Sequence, residues 1–162
     1  SLAASFSSSG LPEGQLDGSS VQCLRDTRYK PPAYRVDWVR VDQPVPMAPW
    51  RSVGATQNGY FLECFIDELA HRLGRDPYQL RRELLAHDAR ALKVIDTAAE
   101  AAGWGTPLPA GRARGLAYVE SYGSLCAQVA EVSLEAGRPV VHRVVCALDC
   151  GSVVLPDGVR SQ

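Results

Sequence analysis

The stretch from residue 49 to residue 74 combines a polar loop with a helix that has one apolar face. The loop reads PWRSVG, and apolar positions follow it at the three-and-four spacing of an α-helix: Phe61, Cys64, Phe65, Leu69 and Leu73. Gly74 is a typical helix stop, because glycine adopts the left-handed conformation without a steric penalty. A loop that opens onto a helix leaves backbone N–H groups that can bind an anion or an oxo group. The simpler interpretation of Arg51 is a loop arginine paired with a carboxylate.

Two further helices are predicted between residues 76 and 103. The first begins at Asp76-Pro77, because aspartate caps free N–H groups and proline costs nothing at the first helical position. Its leucines form the buried side, while Arg81 and Arg82 are expected to face outward or toward a partner. The second helix begins at Asp88 and ends at Gly103, and its many alanines permit close packing.

After residue 112 the pattern of apolar and polar residues changes to the alternation that is typical of half-buried strands. The predicted strands are Gly115–Tyr122, Cys126–Leu134 and Pro139–Asp149. Ala136-Gly137 predicts a tight hairpin turn, and the third strand is apolar on both faces, which favours a central position in the sheet. The predicted fold class is α+β, with a helical layer over residues 56–103 packed on a small antiparallel or mixed β-sheet over residues 113–154.

The first fifth of the chain shows little periodicity. Residues 1–20 are rich in serine and glycine and are predicted to form a poorly ordered or extended arm, with residues 21–162 as a single α+β unit. Val21 to Arg28 reads as either a short helix or an irregular turn. The sequence YRVDWVRV, residues 34–41, predicts a short strand.

Composition agrees with one small globular unit. The chain has 162 residues, of which 46% are hydrophobic and 22% are charged, which is enough for one ordinary core. The 17 basic and 18 acidic residues are spread evenly, so a nucleic-acid-binding surface is not indicated. No apolar run approaches the roughly 20 residues that span a bilayer, and the first residues show no signal-peptide pattern.

The cysteines predict neither a disulfide framework nor a metal site. Their number is odd and no CxxC pair occurs. We expect all of them to be reduced and buried as small apolar residues: Cys23, Cys64, Cys126, Cys146 and Cys150.

The chain contains no recognisable motif for self-contained catalysis, because it has no HExxH sequence, no nucleophile elbow and no phosphate-binding glycine loop. The histidines are predicted to be structural or surface residues: His71, His87 and His142. The helical carboxylates are predicted to form a solvated or capping face: Glu63, Asp67 and Glu68. Glu120 and Glu131, on predicted strands, are expected to be exposed.

Several separated motifs occur in the order of a known family. They are LPEGQLDGSSV, PWRSVG, FLECFIDELAHRLGRDP, RRELL, GWGTPLPAGRARGLA, GSLCAQVAEVSL and HRVVCALDCGSVV. Together they resemble the molybdopterin-binding large subunits of the xanthine dehydrogenase and aldehyde oxidase family, and within it the isoquinoline 1-oxidoreductase beta-subunit type. Since such a subunit is several times longer, the chain is expected to be an internal piece of a larger cofactor-binding domain.

The resemblance implies a role for the PWRSVG loop. In family members the equivalent loop approaches the molybdenum centre of a molybdopterin cofactor in its dinucleotide form, with the position of Arg51 against the ligand sphere of the metal. Gln57 matches a glutamine that closes the loop. Val53 stands where xanthine-type members carry an aromatic residue that stacks on substrate, which argues against a purine. The implied cofactor-binding residues are Arg51, Ser52, Val53, Gly54 and Gln57.

The chain also departs from the family pattern. A substrate-binding arginine of xanthine-type members would fall near Ser20, so that arginine is absent here. The aspartate-glycine-asparagine-proline signature of the family appears as Asp149-Cys150-Gly151 followed by Leu155-Pro156, with leucine where asparagine is expected. The resemblance places the general-base glutamate in a glycine–glutamate motif downstream of residue 162. We therefore expect no catalytic residue and no metal ligand in this chain, no cofactor bound to it in isolation, and no turnover by it alone.

Two functional interpretations follow. In the first, the chain is part of a molybdopterin-dependent hydroxylase of N-heteroaromatic compounds or aldehydes. Its partners would then be the rest of its own subunit, an iron–sulfur small subunit, an electron acceptor and a small substrate. In the second, it is a noncatalytic, free-standing α+β interaction module. The first interpretation implies apolar surface that neighbouring domains cover, and therefore homodimerisation of the isolated chain. A cytoplasmic and a periplasmic location both fit the sequence.

Overall fold

The computed structural model describes residues 14–39, 44–45 and 50–161, and three of the four helices in this part precede the strands along the chain. The elements of the described part are α1 (Gly54–Arg72), α2 (Pro77–Leu84), α3 (Ala89–Ala102), β1 (Arg112–Ser121), β2 (Ser124–Glu135), β3 (Arg138–Asp149) and α4 (Pro156–Arg160). The three strands form one antiparallel sheet against which α3 packs. The α+β class and the layer arrangement predicted from the sequence are confirmed.

Local sequence signals set the ends of these elements. Asp76 and Asp88 cap α2 and α3 through their side chains, and Gly103 ends α3 in the left-handed conformation with φ 67°. Ala136 and Gly137 both have positive φ, 50° and 77°, as a tight hairpin between twisted strands requires. The predicted caps and the predicted turn between β2 and β3 are therefore confirmed.

The strand order in the sheet is β1-β2-β3, so β2 is central and β3 is an edge among the described residues. The prediction that β3 is central was wrong. Val145 and Ala147 on one face of β3 pack against the core, but Val144 and Leu148 on the other face are 52% and 47% exposed. The apolar residues on the second face of β3 are therefore exposed, and they do not indicate a central strand.

The core lies between α3 and the sheet, and α1 and α2 complete it. Alanines on α3 let this helix approach the sheet closely, since Ala91 and Ala98 are fully buried. Large side chains from the end of α2, from α3 and from β2 fill the remaining space and are at most 1% exposed: Leu85, Ile95, Leu125 and Val129. This packing fixes the sheet and the long helix α1 relative to each other.

Helix α1 turns a different face inward from the one its apolar pattern predicted. Phe61, Phe65 and Leu73 are 57%, 61% and 55% exposed. The residues that α1 buries are small or polar instead: Gly54, Ala55, Asn58, Gly59, Glu63, Ile66 and Ala70. The predicted apolar stripe was therefore wrong at its exposed positions, while Leu69 packs against the core; the polar groups on the inward face have partners inside the protein.

The principal partner is Arg81 of α2, which forms a buried ion pair with Glu63. The Nε of Arg81 donates to Oε2 of Glu63 at 2.9 Å, while Arg81 is 0% and Glu63 is 4% exposed. Glu63 also accepts hydrogen bonds from the Tyr118 N–H at 2.8 Å and from the Tyr29 hydroxyl at 2.9 Å. The predictions that Arg81 faces outward and that Glu63 is solvated were therefore wrong, whereas Asp67, also paired with Arg81, is exposed.

Burial and pairing act in opposite directions on these two groups. Burial raises the pKa of Glu63, and the Arg81 guanidinium and the Tyr118 N–H oppose that rise. Burial alone would lower the pKa of Arg81, but the Glu63 carboxylate, with Tyr29 and Asp67, outweighs it and raises the pKa. Arg81 therefore stays charged in the interior.

Stability is expected to fall in acid through Asp88, the cap of α3. The N–H of Ala91 donates to its carboxylate at 3.0 Å and Arg28 pairs with it, and these contacts lower the pKa of Asp88. A lowered pKa contributes stability that is complete above about pH 4 and is lost as the pH falls through the folded-state value. In acid titrations followed by circular dichroism, Asp88→Asn should lose less stability between neutral pH and about pH 2 than the parent chain. An equal loss in both would contradict this role.

The segments before α1 are irregular. Residues 18–26 form turns, so of the two alternatives, a short helix and an irregular turn, the turn is correct. Residues 34–39 form no strand, so the predicted strand is wrong over that range. Arg35 and Asp37 pair with each other at 2.9 Å within this exposed stretch. Residues 40–41 of the predicted strand and residues 1–13 of the predicted arm lie outside the described residues, while Asp17 and Ser20 are buried.

Candidate cofactor-binding loop

The loop that leads into α1 adopts an unusual backbone conformation. Ser52 and Val53 have positive φ, 72° and 49°, and Val53 is β-branched, for which this conformation is a genuine outlier. Local hydrogen bonds hold the loop: the Val53 N–H donates to the Trp50 carbonyl at 2.9 Å, and the Thr56 hydroxyl donates to the Arg51 carbonyl at 2.9 Å. Backbone strain of this kind costs about 1–3 kcal/mol per residue and is concentrated at functional sites.

The start of α1 is fixed against the segment that precedes it in sequence. Asn58 donates from its side-chain amide to the carbonyl oxygens of Ser20 and Gln22 at 2.7 and 2.9 Å. A Cβ atom on Gly54 would lie 2.1 Å from the carbonyl oxygen of Ser19, so only glycine permits this approach. The sequence analysis missed Asn58, although an asparagine inside a helix is unfavourable without a specific partner and could have drawn attention to it.

Substituting Gly54 by alanine should disturb this attachment. Because the obstructing atom is a backbone oxygen, the segment around Ser19 has to move, and we expect a loss of about 1–3 kcal/mol in the free energy of unfolding. Gly115→Ala on β1 is the matched control, since no atom lies within 4 Å of its added Cβ. Thermal denaturation of both variants measures the difference, and equal melting temperatures would refute the role of Gly54.

The predicted cofactor-binding residues lie together at the start of α1 and differ in exposure. Arg51 and Ser52 are exposed, Val53 and Gln57 are half-buried, and Gly54 is buried. The exposed part of the loop therefore carries a guanidinium and a hydroxyl at the surface, while its glycine anchors it to the protein.

The N-terminus of α1 also lacks the carboxylate that the two following helices have. Val53 provides no side-chain cap, and the first turn of α1 contains no acidic residue. By contrast, Asp76 and Asp88 cap α2 and α3. The positive end of the α1 dipole therefore lies beside Arg51 with no acidic residue in the first turn of the helix, an arrangement that favours a negatively charged or oxo group.

The other polar candidates have structural partners or are exposed. Glu131 is buried and paired with Arg114 at 2.8 Å, which lowers its pKa, so the expectation that it is exposed was wrong. Glu120 pairs with Arg28 at 2.8 Å. The histidines are exposed: His71, His87 and His142. Within the described ranges, no group of three or more histidine, cysteine, aspartate or glutamate residues is placed to hold a metal ion, and no helix is long and apolar enough to cross a membrane.

One protein-family domain and three known proteins are similar to this chain. Residues 12–85 match the molybdopterin cofactor-binding domain. The beta subunit of isoquinoline 1-oxidoreductase from Brevundimonas diminuta is 32% identical over 139 residues, which cover 83% of this chain and 18% of that protein. A nicotinate dehydrogenase subunit of Pseudomonas putida is 34% identical over 158 residues, covering 81% of this chain and 13% of that protein. A membrane-bound aldehyde dehydrogenase (pyrroloquinoline-quinone) of Gluconacetobacter polyoxogenes is 33% identical over 162 residues, covering 85% and 21%.

The matched domain contains the strained loop, the start of α1 and the buried Glu63–Arg81 pair. Over residues 12–85 the chain is therefore similar to molybdopterin cofactor-binding domains. The similarity to these relatives confirms the resemblance that the sequence motifs predicted, to large subunits of the xanthine dehydrogenase and aldehyde oxidase family. The chain spans about a fifth or less of the length of the three relatives.

Proposed function

We propose that this chain is the part of a molybdopterin-dependent hydroxylase subunit that places one loop against the cofactor. The loop consists of Arg51, Ser52, Val53 and Gly54, with Gln57 one helical turn behind it. The observation that carries the proposal is the exposure of Arg51 and Ser52 at the start of a helix whose first turn contains no acidic residue, inside the segment that matches the cofactor-binding domain.

The donor chemistry of the loop suits the cofactor. A guanidinium binds phosphate or oxo oxygens through two parallel N–H groups, and main-chain N–H groups at a helix start add further donors. The Gln57 amide can both donate and accept a hydrogen bond. When bound, molybdopterin in its dinucleotide form supplies the redox chemistry that hydroxylates a substrate carbon with oxygen from water. The residues of this chain bind and orient that group, and a general base comes from another part of the subunit.

The proposed substrates are N-heteroaromatic compounds or aldehydes. Two of the relatives carry the names of N-heteroaromatic substrates, isoquinoline and nicotinate, and the third is named for aldehydes. Val53 gives the loop a small aliphatic side chain, which does not provide the stacking surface that a purine would use. We propose an iron–sulfur small subunit and a further electron acceptor as partners, since two of the relatives are named as subunits.

Exposed apolar side chains support a contact with the rest of the same subunit. Trp50, Phe61 and Phe65 are 75%, 57% and 61% exposed on or beside α1, and Val154 after β3 is 96% exposed. Phe61 and Phe65 lie four positions apart on one face of α1, and adjacent exposed apolar side chains of this kind mark an interaction site. We therefore expect the isolated chain to self-associate and the complete subunit to cover these side chains.

Cofactor analysis of the full-length subunit tests the proposal. We expect the purified subunit to contain molybdenum and a pterin in a one-to-one ratio with protein, and residues 1–162 produced alone to contain neither. One relative carries pyrroloquinoline quinone in its name, so the same samples should be analysed for that quinone. Quinone without molybdenum in the full-length subunit would contradict the proposal, and so would molybdenum bound stoichiometrically to residues 1–162.

The alternative is a noncatalytic, free-standing α+β interaction module that retains the fold. The gene distinguishes the two. A reading frame that continues beyond Gln162 into a glycine–glutamate motif supports the hydroxylase subunit, whereas a stop codon directly after Gln162 supports the free-standing module.

A further inference from the structure

Two cysteines lie side by side on the face of the sheet that points away from the helices. Cys126 is on β2 and Cys146 is on β3, and their sulfur atoms are 3.5 Å apart. The flanking residues confirm the orientation, because Leu125 and Ala127 on β2 are fully buried in the core. This arrangement corrects the expectation of five buried cysteines, since Cys146 is exposed and Cys126 is half-buried.

The strand register explains why these two sulfurs meet. Cys126 is directly opposite Leu148 and Cys146 is directly opposite Gln128, so the cysteines are diagonal neighbours on adjacent strands. Diagonal neighbours on one face of a twisted sheet are within reach of each other's side chains. The sulfur–sulfur separation exceeds the roughly 2.05 Å of a disulfide bond, so forming the bond requires the two side chains, and the strands that carry them, to move closer together.

We propose that Cys126 and Cys146 form a dithiol site that a low-molecular-weight disulfide, such as oxidised glutathione, converts into a disulfide across β2 and β3. The bond would tie the edge strand of the described sheet to its central strand. The proposal rests on the geometry of the two side chains and is independent of the cofactor-binding role of the loop.

The reaction balances as two successive thiol–disulfide exchanges. The exposed Cys146 loses its proton and attacks one sulfur of oxidised glutathione, which forms a mixed disulfide and releases one glutathione thiol. Cys126 then loses its proton, attacks the Cys146 sulfur and releases the second glutathione thiol. Burial, with a further contribution from Cys146, raises the pKa of Cys126 to about 11, so Cys126 is a weak nucleophile toward an external disulfide and reacts in the second step, where the sulfur that it attacks is already adjacent.

Thiol titration of the 162-residue chain after incubation with oxidised glutathione tests the proposal. Of the five cysteine thiols, we expect three to remain after unfolding in denaturant, and peptide mapping should join Cys126 to Cys146. The cross-link should raise the melting temperature by roughly 5–10 °C, because it closes a loop in the unfolded chain. A reductant should reverse both changes.

Two variants serve as controls. Cys64→Ser on α1 should still lose two thiols to the same cross-link, whereas Cys146→Ser should show no internal disulfide and no rise in melting temperature. Three results would each overturn the proposal in the parent chain: Cys126 and Cys146 remaining reduced at equilibrium, a stable glutathione adduct on Cys146, or a cross-link between any other pair. Since mapping of the parent chain is decisive by itself, a folding defect in a variant does not obscure the outcome.

Discussion

Replacing Arg81 by alanine is expected to lower the free energy of unfolding by about 3–5 kcal/mol, the cost of breaking a buried ion pair by removing one partner. The variant would leave the Glu63 carboxylate inside the protein without the guanidinium that pairs with it at 2.9 Å. It would also remove the hydrogen bond from Arg81 to the Glu63 carbonyl, at 3.1 Å, which joins α2 to the backbone of α1. Since the free energy of unfolding of a domain is only about 5–15 kcal/mol, this substitution would remove a large share of it.

Arg82→Ala is the matched control for this prediction. Arg82 is the next residue of α2 and pairs with Asp96 at 3.0 Å, but the two side chains are 42% and 36% exposed. Exposed pairs contribute at most about 1 kcal/mol, so this variant should remain close to the parent chain in urea denaturation. If Arg81→Ala and Arg82→Ala lose the same stability, the buried pair does not hold α1 and α2 together. Arg81→Lys keeps the charge without the planar fork and should fall between them.

Arg51→Ala in the full-length subunit is expected to reduce kcat/KM by about 100-fold or more, with little change in melting temperature. The size of the effect follows from removing a positioned charged donor at a reaction centre. The small effect on stability follows from the exposure of Arg51, whose side chain lies on the surface of the described structure. If Arg51 serves only to pair with another residue of the protein, the substitution would lower the melting temperature and leave kcat/KM nearly unchanged.

Arg72→Ala provides the comparison within the same helix. Arg72 is exposed at the last turn of α1, about 27 Å from the loop by the rise of an α-helix. The Arg72→Ala substitution removes the same charge far from the proposed site, so activity per molybdenum atom should remain near that of the parent subunit. If Arg51→Ala unfolds the subunit while the folded fraction keeps full activity, Arg51 is a structural residue and the proposed role is wrong.

The features that could be predicted from the sequence are those that neighbouring residues decide. The aspartate caps at Asp76 and Asp88, the left-handed stop at Gly103 and the turn at Ala136-Gly137 each depend on a few consecutive residues. Patterns of period two and period 3.6 also gave the correct fold class, because both reflect which face of an element is apolar.

The failures concern which surface an element actually buries. Glu63 and Arg81 are 18 positions apart, and nothing near either residue in the sequence indicates that they meet in the interior. Phe61 and Phe65 satisfy the apolar spacing of α1 and yet lie on its exposed face, so the pattern identified a helix without identifying its buried side. The prediction for β3 failed for the same reason.

The candidate loop was found through resemblance and not through its local chemistry. A loop arginine followed by a helix is common, and the sequence gives no sign that Ser52 and Val53 both adopt positive φ. The contact between Gly54 and the Ser19 carbonyl is equally invisible, because it depends on a segment that is 35 positions away in the sequence and adjacent only in the folded chain. The structure supplies the shape of the loop, and the assignment of that shape to a cofactor remains our proposal.

The most direct measurement is a structure of the full-length subunit with its cofactor bound. We predict that the molybdopterin cofactor lies against residues 51–54, with the Arg51 guanidinium or the main-chain N–H groups at the start of α1 within hydrogen-bonding distance of its oxygen atoms. A cofactor bound elsewhere, with residues 51–54 covered only by other protein side chains, would contradict the account.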